Sequence, residues 1–126
     1  DMCRTGILIS GETVTGQIAN MTTQGTSISS SIGIFITSPA NRVRLQASNL
    51  RFTDCQANGV RVDGEENWVA LENIWVDNWD QSHVGFPAVE CVRPSSRACI
   101  GKARWFTGSG GGPETGWPAG TIILDS

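Results

Sequence analysis

The chain has 126 residues, nine Lys and Arg against twelve Asp and Glu, and a formal charge of -3, enough for one domain with a buried core. Its basic residues never cluster beyond a pair, which leaves no footprint for a nucleic acid or an anionic membrane surface. No apolar run approaches the roughly 18 residues of a spanning helix, and "DMCRTGILIS" lacks the basic and long apolar regions of a signal peptide, so membrane insertion is not expected.

Thr, Ser, Val, Ile, Asn and 15 Gly dominate the composition, which favours an all-β fold. The first element is the alternating run "GILIS", Gly6 to Ser10. The turn "GETV" follows, and then "GQIANMTTQ", a longer apolar-alternating segment with Asn20 at its centre. The same order returns with "GIFIT" from Gly33, the turn "SPAN" and "RLQASNLRFTDC" around Asn49. It returns again with "GVRVD" from Gly59, "GEEN" and "WVALENIWVDNW" around Asn73. A weaker copy reads "AVECV" from Ala88, "RPSS" and "ACIGKARWFTG", with Lys102 where the Asn should be. After the Gly- and Pro-rich insertion "TGSGGGPETGWPAG", the run "GTIIL" from Gly120 reads as a fifth leading strand.

The leading runs start 27, 26, 29 and 32 residues apart, and a fixed period of this length marks a repeat architecture. Within each run the second and fourth positions share one face. They carry Ile7, Ile34, Val60, Val89 and Thr121, then Ile9, Ile36, Val62, Cys91 and Ile123. Around the Asn position, Ile18, Ala47, Leu71 and Ile100 align before it. Met21, Leu50, Ile74 and Ala103 align after it, followed by Thr23, Phe52, Val76 and Trp105. Each repeat is expected to be strand, turn, strand, Asn bend, strand and loop, and three short strands close a core only by stacking on neighbouring repeats. Asn tolerates left-handed backbone, and stacked Asn amides about 4.8 Å apart can hydrogen-bond along the ladder. An antiparallel sandwich or jelly roll also uses short strands, but supplies no reason for the period.

This order of Gly-led strand, polar turn, strand, Asn bend, strand and variable loop resembles a coil of the right-handed parallel β-helix shared by pectate-lyase-like enzymes and bacteriophage tailspikes. The resemblance spans about Gly6 to Ser126 and implies an all-β solenoid of four to five coils, residues 1–126 forming a single domain. The uncapped last strand makes the chain an expected part of a longer protein, or one completed by oligomerisation. Leu8, Phe35, Arg61, Glu90 and Ile122 form one outward column, and aligned Leu, Phe and Ile there call for a covering partner. The tailspike resemblance implies a parallel homotrimer.

Two clusters carry possible chemistry. Asp63 and Glu90 point outward on adjacent repeats at a separation on the order of 8 Å, within the spacing of acid and base in inverting glycosidases. Arg61 lies in the same column as Glu90, where an ion pair satisfies both. A calcium-dependent lyase would need an Asp cluster with a basic proton acceptor, and "DGEEN" supplies only turn carboxylates. The second cluster, "NWVALENIWVDNWDQSHVGF", places Trp75 and Asp77 outward beside Trp68, Glu72 and Trp79; an exposed indole next to a carboxylate suits a sugar, or a protein interface. Trp117, in the insertion, joins Arg61, Trp75, Asp77 and Trp79 as expected substrate contacts. His83 has no Ser or Cys partner for a triad. Cys3, Cys55, Cys91 and Cys99 lack zinc spacing, so buried thiols are expected and no metal or cofactor, with a Cys91–Cys99 bridge as the alternative in a secreted protein.

The expected function is host attachment: a trimeric tailspike or tail-fibre domain of a virion, binding bacterial surface polysaccharide. A polysaccharide-degrading hydrolase or lyase with Asp63 and Glu90 as its acid and base, and a purely structural trimerising solenoid, are the alternatives; a secreted bacterial protein is the alternative location.

Overall fold

The computed structural model describes residues 5–24, 32–37, 41–55, 57–77, 88–102, 104–105 and 121–125, and among these every regular element is a strand. The leading runs form β1 (Thr5–Ile9), β3 (Ile32–Ile36), β5 (Val60–Val62) and β7 (Val89–Cys91). The Asn-centred segments form β2 (Thr15–Gln24), β4 (Arg44–Thr53) and β6 (Trp68–Asp77). The weak copy is split into β8 (Arg97–Gly101) and β9 (Arg104–Trp105), and β10 (Thr121–Asp125) follows. The first sheet runs β1-β3-β5-β7 and the second β10-β8-β6-β4-β2, with β9 beside β6. All pairings are parallel, and from β1 to β8 the chain passes alternately from one sheet to the other.

This register reproduces the sequence columns. Ile7, Ile34, Val60 and Val89 are neighbours across the first sheet, as are Ile9, Ile36, Val62 and Cys91. Across the second sheet, Ile18, Ala47, Leu71 and Ile100 align, then Met21, Leu50 and Ile74, then Thr23, Phe52, Val76 and Trp105. Ile34, Ile36, Ala47, Leu50, Phe52, Val60, Val62, Leu71, Ile74, Val76, Val89, Cys91 and Ile100 of these columns are buried in the core, while Ile7, Ile9, Ile18 and Met21 pack against it only partly buried. Full burial of each such side chain contributes about 1.5–3 kcal/mol, so the columns supply most of the driving force.

Two left-handed columns shape each repeat. Asn20, Asn49, Asn73 and Lys102 have φ between 51° and 58°. The Asn49 Nδ2 donates to Asn20 Oδ1 at 2.9 Å and Asn73 Nδ2 to Asn49 Oδ1 at 2.7 Å, forming the expected amide ladder. Lys102 cannot extend it, and its Nζ lies 3.8 Å from Glu72 Oε1 instead. The second column, Thr13, Arg42 and Glu66, turns the chain from the first sheet into the second. Its turns are tied together by Thr13 N–H to Asn41 O, Arg42 N–H to Glu65 O, and Glu65 N–H to Asn41 Oδ1 at 2.9, 3.1 and 2.9 Å. Beneath them the buried Asn67 accepts from Val43 N–H at 2.8 Å, and the buried Ser96 hydroxyl donates to Gly64 O at 2.6 Å.

Two expectations are corrected. The second and third strands of each repeat are one ten-residue strand in β2, β4 and β6. A single left-handed residue bends the strand without ending the pairing on either side, and only the Asn positions drop out of the register. The final strand β10 lies in the second sheet beside β8, with Ile122 opposite Ala98 and Leu124 opposite Ile100. Thr121, Ile122 and Ile123 therefore do not extend the first-sheet columns, which end at β7. Two-residue alternation is the same in either sheet, so the pattern of this run does not distinguish them.

The leading glycines are spacing devices. A Cβ on Gly33 would stand 2.4 Å from Phe52 Cδ1 and 2.6 Å from Gly59 O, and the backbone oxygen cannot swing away. Gly33→Ala is therefore expected to lower stability by about 1–3 kcal/mol in urea titrations. Gly16→Ala, with open space at the same atom, should change it by less than about 0.5 kcal/mol; equal effects would contradict the packing of Phe52 on Gly33.

Candidate functional site

On the first sheet, Leu8, Phe35, Arg61 and Glu90 are aligned by register. Leu8 is 58% exposed, whereas Phe35, Arg61 and Glu90 are half-buried. The short strand β5 holds Arg61 outward between the buried Val60 and Val62. Its Nε meets Asp63 Oδ1 at 2.6 Å and its Nη1 lies 3.8 Å from Glu90 Oε1. Asn58 Nδ2 donates to that same Glu90 oxygen at 3.2 Å. The structure thus brings Asp63 and Glu90 together through Arg61, so one guanidinium neutralises both carboxylates and an amide completes the network. As a chemical arrangement it holds two neighbouring repeats together by charge.

The outer side of the second sheet is divided by the Asn column. Along β6, Trp68, Ala70 and Glu72 face outward before the bend, while Trp75 and Asp77 do so after it, because the left-handed residue shifts the alternation. On the second facet Thr22, Arg51, Trp75 and Arg104 are register neighbours. The Arg51 guanidinium carbon lies 4.9 Å from the Trp75 ring centroid, a cation–π contact. Trp75 stays 37% exposed, and Asp77 is half-buried two residues along. Trp79, His83 and Trp117 lie outside the described residues.

The first facet carries Arg44, Trp68 and Arg97 in one row, followed by Gln17, Gln46, Ala70 and Cys99, then Ala19, Ser48, Glu72 and Gly101. Trp68 is 42% exposed, against 37% for Trp75. Two shallow concavities flank this facet. One, of about 330 Å³, is a trough between Gln17, Gln46, Ser48 and Glu72. Gln17 Nε2 donates to Gln46 Oε1 across it at 3.2 Å. The other, of about 400 Å³, is bounded by Arg44, Glu66, Trp68, Ser95 and Arg97.

Sequence reasoning grouped Trp68 with the other tryptophans but missed its two arginine neighbours. The signal was available: Arg44, Trp68 and Arg97 each open the Asn-centred strand of their own repeat. Aligning the outward positions there, as the inward ones were aligned, brings the three together.

Cys55 and Cys91 are buried and play no part in these faces. Burial, reinforced by the neighbouring Asp54 carboxylate, pushes Cys55 up to about 11, and burial with Glu90 pushes Cys91 up to about 12. Both are therefore protonated and poor nucleophiles near neutral pH. The Cys91–Cys99 bridge does not form, and both are free: Cys91 points into the core from β7, whereas Cys99 lies among the outward positions of β8. Among the described residues, no three His, Cys, Asp or Glu side chains are grouped to hold a metal ion.

No family model, curated protein or solved structure matches the chain.

If Arg61 is the shared counter-ion, Arg61→Met should lower stability by about 1–2 kcal/mol, since it leaves two half-buried carboxylates adjacent. A cycle with Glu90→Gln should show a coupling of about 0.5–1 kcal/mol that shrinks in high salt. Strict additivity in urea titrations would contradict the network.

Proposed function

We propose that the chain is a right-handed parallel β-helix domain of the tailspike or tail-fibre kind, which binds bacterial surface polysaccharide without cleaving it and works as a homotrimer. Support for the helical architecture comes from the alternation of the chain between two parallel sheets at a nearly constant period. Right-handedness follows from the strand twist that governs parallel crossover connections.

The observation that carries the binding reading is the outer side of β6. There Trp68 and Trp75 remain exposed on a rigid sheet, among amide, hydroxyl and charged side chains. A sugar presents an apolar C–H face and a polar rim; the exposed Trp68 ring suits the first, and Gln17, Gln46 and Ser48, further along the same facet, suit the second. The sheet holds these groups without a loop rearrangement, so little ordering entropy opposes binding. Support for self-association comes from Leu8, whose exposed side chain on β1 stands in line with Phe35 on β3. The hydrolase reading is less favoured, because Arg61 stands between the two carboxylates that would have to act as acid and base.

Binding to a panel of capsular polysaccharides and lipopolysaccharides, with release of reducing ends measured in parallel, tests this reading. The wild-type chain should bind without releasing ends. Trp68→Ala and Trp75→Ala together should weaken binding at least about tenfold, equivalent to 1.4 kcal/mol, while leaving the folded spectrum unchanged. Release of ends that disappears in Asp63→Asn or Glu90→Gln would replace the binding module with a hydrolase. Binding indifferent to both tryptophans would remove the site from this face, and a monomeric mass in native buffer would remove the trimer.

A further inference from the structure

The first facet carries a more specific message about the polysaccharide. Arg44, Trp68 and Arg97 are direct neighbours on three consecutive strands, so the exposed indole has a guanidinium on each side. Among the described residues the ion pairs are Arg61 with Asp63 and Glu90, Arg93 with Glu65, and Lys102 with Glu72. Neither Arg44 nor Arg97 takes part in one. Arg44 is nevertheless positioned: its Nη1 donates to Glu66 O at 2.8 Å and to Val43 O at 3.2 Å. These backbone acceptors fix the guanidinium without neutralising it, and the rest of its donor fork stays available.

Of the two acidic residues nearby, Glu65 is engaged elsewhere, whereas Glu66 lines the concavity, which therefore holds two guanidinium groups against one carboxylate. Glu65 accepts from the Ser95 hydroxyl at 2.5 Å and faces Arg93 at 4.0 Å, and the Glu66 backbone serves the Arg44 contact. The Glu66 side chain lies on the rim of the same concavity, which holds positive charge in a chain of net charge -3.

Resting on the polysaccharide-binding reading above, we infer that Arg44, Trp68 and Arg97 form a subsite for an acidic sugar, one bearing a carboxylate, sulfate or phosphate group. The ring stacks on Trp68 and the anion accepts from the guanidinium groups, the planar, charge-assisted pairing for which Arg is suited. The neutral hydroxyls of adjoining sugars then lie over the trough of Gln17, Gln46 and Ser48. A single-stranded nucleic acid is the weaker match. It needs a cationic track following successive phosphates, and Glu72 stands on this facet where such a track would continue.

The test compares hyaluronan, dextran sulfate and poly(glycerol phosphate) with neutral dextran and carboxyl-reduced hyaluronan, and includes poly(dT), all titrated against the full chain. Wild-type protein should prefer at least one acidic polymer over the neutral ones by about tenfold or more, with an affinity that falls as salt rises; which acidic polymer leads identifies the anion. Arg44→Gln/Arg97→Gln should abolish that preference and leave neutral-sugar affinity unchanged. Arg97→Gln alone, which removes no backbone contact of the Arg44 kind, should lose most of it, so that an unfolded double variant would not decide the matter. Equal binding of acidic and neutral polymers overturns the acidic subsite while leaving polysaccharide binding intact. Absence of binding to every glycan overturns both, and tighter binding of poly(dT) than of any glycan reassigns the face to nucleic acid.

Discussion

The hydrogen bonds that link Asn20, Asn49 and Asn73 occur where each long strand of the second sheet bends through left-handed backbone. A non-glycine residue there costs about 1 kcal/mol or more. Asn carries this cost best, because its short amide satisfies a donor on one neighbour and an acceptor on the other. The ladder also locks register: a slip of one residue would move every core side chain outward and break each amide contact at once. Where the column reaches Lys102, the amide contact is missing and the strand is split into β8 and β9. The ladder and the continuity of the strand end together.

Fixed register is what gives the outer faces their chemistry. Because residues of successive repeats lie side by side, one outward position becomes a row. Such rows set Arg61 beside Glu90 on the first sheet, and Arg44 and Arg97 either side of Trp68 on the second. The two rows have opposite characters. Around Arg61 the charges are matched and satisfy one another, which is the signature of cohesion between repeats. Around Trp68 the two guanidinium groups make no ion pair and flank an exposed ring, which is the arrangement a ligand can complete. That contrast, rather than the number of acidic residues, favours binding over cleavage.

Much of the fold was legible because stacking imposes the same demand at the same place in each repeat. Ile34, Val60 and Val89, or Ala47, Leu71 and Ile100, fill equivalent space, so the period is visible in residue type. The Asn column was legible for the same reason, even to the substitution by Lys102. The second left-handed column was not, since Thr13, Arg42 and Glu66 have no such preference and are held by hydrogen bonds between turns. The placement of β10 was equally hidden, because "TIILD" alternates in a way that serves either sheet. At the candidate site, Arg61, Asp63, Glu90, Trp75 and Asp77 stand on the faces expected of them. The Arg44–Trp68–Arg97 row was overlooked because outward positions are not constrained to be alike, and unlike neighbours do not announce a column.

The claim on which the rest depends is parallel pairing at one-repeat separation, and nuclear Overhauser contacts in the intact chain test it most directly. Parallel pairing predicts contacts from Ile34 to both Ile7 and Val60, and from the Asn49 side-chain amide to both Asn20 and Asn73, with no strong Hα–Hα contacts between neighbouring strands. Strong Hα–Hα contacts joining strands that follow one another in the chain would mean antiparallel hairpins, and would contradict the account.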